Sequence, residues 1–183
     1  MDVASRSQES QVRFVEASWL QEVPASIRVV IWRFLRERSE PVGHRLLDEH
    51  GASDHLWFVL DGSVVAERTR PGPQGRAETL AELSGSAIYG ATTFFRNSAP
   101  TLTIRATSPI RGWTLDRASY QQLRSENLAA AEAHAQAVVK VLAERFDMLD
   151  RRLTELMAEH QGDRRRASEW ADFRSRLFEE PAT

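Results

Sequence analysis

His44, His50 and His55 fall close together, interleaved with Asp48, Glu49 and Asp54, with Asp61 beyond them. Such density is what a metal ion needs. However, spacings of six and five residues put the imidazoles on no common helical face, and no acidic ligand pattern accompanies them. The same carboxylates could pair for acid–base work, but they flank turns and have no partnered nucleophile. There is no cysteine, which removes disulfides, thiolate metal sites and cysteine nucleophiles. The Ser-rich start shows no Ser-His-Asp logic. The run from Gly85 to Gly90 lacks the Lys-Ser/Thr of a nucleotide-hydrolase loop. The expectation is therefore no catalytic constellation, no metal site and no cofactor. What remains is a binding chemistry. Gly90 is followed by Ala91, Thr92 and Thr93, then Arg96, Pro100, Thr101, Thr103 and Arg105. The threonines are either ordinary strand and cap residues or the lining of a pocket. Arg105 shares a strand face with Thr103 by period-two alternation, and either arginine could reach inward.

The elements that must position these residues are legible in outline. Val12, Val15, Trp19 and Leu20 recur at helical spacing before Pro24. Ile27, Val30, Ile31, Phe34 and Leu35 form a second helical stripe, with Arg28, Arg33, Arg36 and Arg38 on its other side and Pro41 closing it. From Pro41 to Leu115 the apolar runs are short, rich in β-branched and aromatic residues, and broken by Gly, Pro, Asp and Asn. That predicts several short antiparallel strands. The runs 56–60 and 63–66, split by Asp61-Gly62, read as a hairpin, because a type I′ turn needs positive φ at both central residues. Residues 79–83, 102–106 and 111–115 read as further strands. Asp116 is placed to cap a short helix, and Ser125 the next one.

From Ser125 to His160 there is no Pro or Gly. Val139, Leu142, Phe146, Leu149, Leu153, Leu156 and His160 step alternately by three and four. A strict heptad seam implies a partner helix, because an isolated helix drifts from a seven-residue period. A helix packed only on its own β-domain would show a broader apolar stripe; the expectation is thus a homodimer. Four regions follow: an N-terminal extension over 1–19, the β-domain over 20–125, a long dimerisation helix over 126–161 and a C-terminal helical tail over 162–183. The tail carries Arg164, Arg165 and Arg166 among acidic residues, followed by Trp170, Phe173 and Leu177 at helical spacing.

Bulk properties agree with a globular chain. Of 183 residues, 42% are hydrophobic and 27% charged, which argues against disorder. A net charge of −2 exerts no overall pull on nucleic acid or an anionic membrane. The polar start is no secretory signal, and no apolar run approaches a membrane span. The expected location is cytoplasmic.

Two helices, a short-strand β-domain, a small helix and a long one: this order resembles the cyclic-nucleotide-binding domain family over roughly residues 20–160. Residues 56–65, Leu-Trp-Phe-Val-Leu-Asp-Gly-Ser-Val-Val, look like the family's pattern of apolar residues, Gly, then Val-x-Val. Residues 80–83 and then 85–90 look like the strand and glycine turn entering the phosphate-binding cassette, and 101–106 like the strand leaving it. The resemblance implies an α+β fold: an antiparallel β-roll, or jelly roll, flanked by N-terminal helices and a long C-terminal helix. It offers cyclic AMP or cyclic GMP as the ligand. In such a cassette a glycine lets backbone approach the phosphate, helix amides point at the anion, a carboxylate holds the sugar and an arginine neutralises the charge.

The chain departs from that pattern at both charged positions. The family's Glu after the glycine is Ala91. Its Arg falls at Pro100, or at Thr101 if the loop is longer by one. The expected function is a non-catalytic regulatory adaptor that dimerises and acts through a protein partner, whose identity the sequence leaves unknown. The alternatives are a sensor that binds a small ligand in a non-standard way, and a transcription regulator working through a partner. Direct DNA binding is not expected, since the winged helix-turn-helix of the resembling regulators would have to fit within residues 161–183. No membrane partner is expected.

Overall fold

The computed structural model describes residues 3–70, 76–159 and 169. The chain divides into two units, Met1–Val141 and Leu142–Thr183. The first begins with α1 (Val3–Val15), a 3-10 turn (Ser18–Leu20) and α2 (Ala25–Trp32). Eight strands follow: β1 (Arg36–Glu40), β2 (Arg45–Leu47), β3 (His55–Asp61), β4 (Ser63–Thr69), β5 (Ala77–Ser84), β6 (Ala87–Tyr89), β7 (Thr103–Ala106) and β8 (Ile110–Asp116). The short helix α3 (Ala91–Arg96) lies between β6 and β7, and α4 (Arg117–Glu126) and α5 (Leu128–Glu159) follow β8.

The strands form two four-stranded antiparallel sheets, ordered β1-β8-β3-β6 and β2-β7-β4-β5. This is the expected roll with flanking helices. One inner core joins the sheets: Leu46, Leu47, Trp57, Val59, Val64, Ala66, Tyr89, Ile104, Ala106 and Ile110. A second core lies on the other face of the first sheet. There Phe58 and Trp113, paired across β3 and β8, meet Phe14 of α1 and Trp19. Their ring centroids lie 5.1–6.0 Å apart, within the range of favourable aromatic contacts. Two of these indoles use their N–H: the buried Trp113 donates from Nε1 to Ser10 Oγ at 3.0 Å, and the half-buried Trp19 from Nε1 to Ser86 Oγ at 2.6 Å. A strand buried on both faces reads as a continuous apolar run, which is why β3 shows no alternation.

Three local expectations are corrected. The second helix stops at Trp32, and Arg36 and Arg38 belong to β1, where they pair with Thr114 and Gly112 of β8. The arginines that read as a polar helical face are the period-two pattern of an edge strand. Second, Asp61-Gly62 is no hairpin turn. β3 is flanked by β8 and β6, and β4 by β5 and β7, so Gly62 (φ 122°) is a corner at which the chain changes sheet. The neighbours on each side had already claimed the ladder hydrogen bonds that a hairpin would use. Third, the break before the long helix falls at Asn127, not Ser125. Asn127 Oδ1 accepts from Ala130 N at 2.9 Å, whereas Ser125 Oγ donates back to Gln122 O. Asp116 does cap α4, accepting from Ser119 N at 2.7 Å.

Within the first unit, α5 buries Ala130, Ala131, His134 and Val138. In the second unit, Phe146 and Leu149 of the heptad are half or more exposed, Leu142 and Leu153 are half-buried, and Leu156 is exposed. Val139 is 60% exposed. His160 and nearly all of the tail lie outside the described residues. No described helix is long and apolar enough to cross a membrane.

Candidate functional site

β6 pairs with β3 and delivers the chain to Gly90. Gly90 has φ 85° and stands at the N-terminus of α3. A Cβ here would lie 2.8 Å from His55 O and 3.3 Å from Leu47 Cδ2. The glycine is thus required by the backbone turn and by β3 itself, with no ligand invoked. Phe94 N donates to Gly90 O at 2.8 Å and closes the first turn. No side chain caps the start of this helix. Ala91 and Thr93 are buried and Thr92 is exposed. Phe94 is buried edge-on to Tyr120 of α4 at 5.6 Å, while Phe95 stays 41% exposed and does not enter the roll.

The far end of α3 is held by a residue that sequence reasoning missed. Arg117, the first residue of α4, reaches back to it. Nε donates to Phe94 O at 3.1 Å, Nη2 to Thr93 O at 2.8 Å, and Nη1 to Asn97 Oδ1. The guanidinium also lies 5.8 Å from the Phe94 ring centroid. A cation at helical C-terminal carbonyls is favourable in sign as well as geometry. No sequence signal marks it, because its acceptors, two main-chain carbonyls and the Asn97 side chain, lie twenty or more residues away. Asn97 (φ 54°) then turns the chain out of the helix. Between this loop and the one after β2 lies an open hollow of about 590 Å³, lined by His50, Ser53, Asp54, Asn97, Ser98 and Arg117.

Of the remaining candidates, Thr103 and Arg105 are engaged on the outer face of the second sheet. Pro100 is buried, and its carbonyl accepts from His50 N at 3.0 Å; Thr101 is exposed. Ile104 and Ala106 of β7 belong to the inner core, so Thr103 and Arg105 project from the outer face of that sheet. Thr103 Oγ1 accepts from Glu49 N at 3.0 Å. Arg105 makes a bidentate pair with Glu67 of β4, with Nε to Oε2 at 3.1 Å. The Arg105 hydrogen bond holds the Glu67 carboxyl below its ordinary pKa, against the opposing effect of burial. Glu49 is likewise lowered, chiefly by the Thr69 N–H that it accepts at 2.7 Å. Arg96 is exposed at the end of α3. His44, His50 and His55 each sit beside a carboxylate, Glu40, Glu49 and Asp54 respectively, as separate pairs. No group of three potential metal ligands occurs among the described residues.

The arrangement is thus a glycine turn and a short helix beside a roll. The side chains at 91 and 100 are uncharged, and Arg105 is directed elsewhere. Residues 37–127 match the family model for the cyclic nucleotide-binding domain. No curated protein matches by sequence. Solved structures do match. A cyclic nucleotide-binding domain from Methylobacillus flagellatus has a TM-score of 0.68 at 18% identity, covering 82% of this chain and 84% of that one. The Thermus thermophilus catabolite activator protein scores 0.61 at 21%, covering 76% and 63%. The regulatory subunit of a cAMP-independent protein kinase A from Trypanosoma brucei scores 0.59 at 17%, covering 79% and 49%. The chain therefore spans less than two thirds of the latter two, and at these identities the likeness is one of fold.

Proposed function

Since the domain over residues 37–127 belongs to the cyclic nucleotide-binding domain family, we propose that this chain is a non-catalytic regulatory adaptor whose roll no longer grips a cyclic phosphate and whose long helix pairs with a second copy. It acts through a protein partner. The observation that carries this reading is the pair of uncharged side chains, Ala91 and Pro100, where the family's ligand contacts would stand, with Arg105 already held by Glu67 on the outer face. Charge-assisted hydrogen bonds contribute about 1.5–3 kcal/mol each. Losing two weakens binding by roughly two to four powers of ten, at about 1.4 kcal/mol per tenfold. A fold shared with a regulatory subunit of a cAMP-independent kinase is consistent with a use of the roll that does without that ligand. The exposed Phe146 and Leu149 support pairing of the long helix.

A second reading is a sensor that binds a cyclic nucleotide or another small molecule in a non-standard way. It is favoured by one feature: the backbone cradle of Gly90 and α3 is fully formed. Calorimetric titration with cyclic AMP and cyclic GMP separates the two. The adaptor reading expects no heat and no thermal shift at millimolar nucleotide. Micromolar binding would overturn it in favour of the sensor.

A further inference from the structure

In the first unit α5 is buried along a narrow stripe: Ala130, Ala131, His134 and Val138. His134 is the polar member. It is 0% exposed, and neither ring nitrogen has a hydrogen-bond partner. Its ring lies 5.7 Å from Phe58 of β3 and 5.6 Å from Tyr120 of α4. It therefore sits where the helix meets both the first sheet and the preceding helix.

The two rings that meet it are uncharged, and Arg124 of α4 acts on the Tyr120 phenol. From β3 it is met by the Phe58 ring. From α4 it is met by the Tyr120 phenol, whose pKa burial raises. On α5 itself, Glu132 is exposed and Lys140 is bonded to Glu22 at the surface. Burial alone accounts for the lowering of the His134 pKa to about 4. An imidazole with two unbonded nitrogens in an apolar contact holds a helix less well than a leucine would, because its polar atoms lose water and gain nothing.

We propose that His134 is a proton-sensitive latch: protonation of its imidazole releases the segment Leu128–Val141 of α5 from the roll. Once released, the imidazole is in water and titrates near its ordinary value of 6.5. Above that pH both states are neutral and docking has its full strength. Below it, the released state takes up a proton that the docked state refuses, so docking weakens as pH falls and goes on weakening down to about pH 4. The docking equilibrium shifts about tenfold by pH 5.5 and about 150-fold by pH 4, with a limit of about 300-fold below that. The latch goes beyond the adaptor reading and does not depend on it; nucleotide binding or a failure to dimerise would leave it intact.

The absence of cysteine makes a direct test available. Glu22 and Lys140 touch in the docked state. Glu22→Cys and Lys140→Cys carry spin labels, and labelled protein is diluted with unlabelled protein so that only distances within one chain are read. A single short distance is expected at pH 7.5. A longer population should grow about tenfold relative to it by pH 5.5, while the near-ultraviolet signal of the roll's tryptophans is unchanged. His134→Phe in the same background should show no such growth. A distance that stays short in the parent to pH 5, an equal response in His134→Phe, or loss of the tryptophan signal together with the distance change would each overturn the latch. Should His134→Phe fail to fold, an NMR titration of the unsubstituted protein decides. An imidazole of His134 that protonates near pH 6.5 while the helix stays docked refutes the proposal; one that protonates only as the helix is released supports it.

Discussion

At residue 91 the chain carries a methyl group and at residue 100 a ring without charge, the positions where the adaptor reading places the missing carboxylate and arginine. The surrounding backbone has not collapsed in response. Gly90 turns left-handed, and any Cβ there would meet His55 O and Leu47, so glycine is required for a reason internal to the fold. The glycine turn is therefore required by packing, whatever the ligand chemistry of the site. This predicts a gain of function. Ala91→Glu combined with Thr101→Arg, the latter at an exposed position, should raise cyclic-nucleotide affinity by roughly two to four powers of ten, following the strength of two charge-assisted bonds. Calorimetry beside the unsubstituted protein reads this directly; equal affinities would mean that the cradle is not competent even when recharged. At the same scale, Arg105 shows how little a residue type says without its face. Its spacing allows an inward reach, but its strand turns it outward to Glu67.

At the scale of elements, the short helix α3 depends on its neighbour more than on itself. It has six residues, too few for independent stability, and no side-chain cap at its start. Arg117 supplies the missing support by bonding two of its carbonyls and the Asn97 amide. Arg117→Ala should lower the stability of the first unit by about 1–3 kcal/mol, and amide exchange should accelerate most over residues 91–97. An exchange pattern unchanged in α3, with loss spread evenly over the sheets, would argue against a local clamp. The same contact ties α3 to α4, and α4 leads through the Asn127 cap into α5, so the candidate cradle and the long helix share one continuous set of supports.

For the whole molecule, the question is what covers the heptad seam. Phe146 and Leu149 are 50% and 55% exposed within a single chain, and Val139 60%. Large side chains at strict three-four spacing are expected to be covered by a second helix with the same spacing. Sedimentation should therefore give a dimer for the unsubstituted protein and a monomer for Leu149→Asp, with circular dichroism of the roll unchanged. A dimer that survives the substitution would place the contact elsewhere.

The roll was implied by the family resemblance, whereas the order of helices and short strands, the cap at Asp116 and the heptad spacing could be read from the chain itself. Each rests on local chemistry: side-chain period, turn residues, and a side-chain acceptor a few residues from the amide it caps. The sheet assignment of β3 and β4 could not be read this way. Asp61-Gly62 has the local form of a hairpin, and only the competing neighbours β8, β6, β5 and β7 turn it into a corner. The edge strand β1 was hidden for a similar reason, since its pairing with β8 lies more than seventy residues away and its arginines suit a helix surface equally well. Arg117, the outward face of Arg105 and the buried, unbonded ring of His134 were likewise decided by tertiary contacts. A side chain's type limits the bonds it can make, but which partner it meets depends on segments brought together only when the two sheets close around their core.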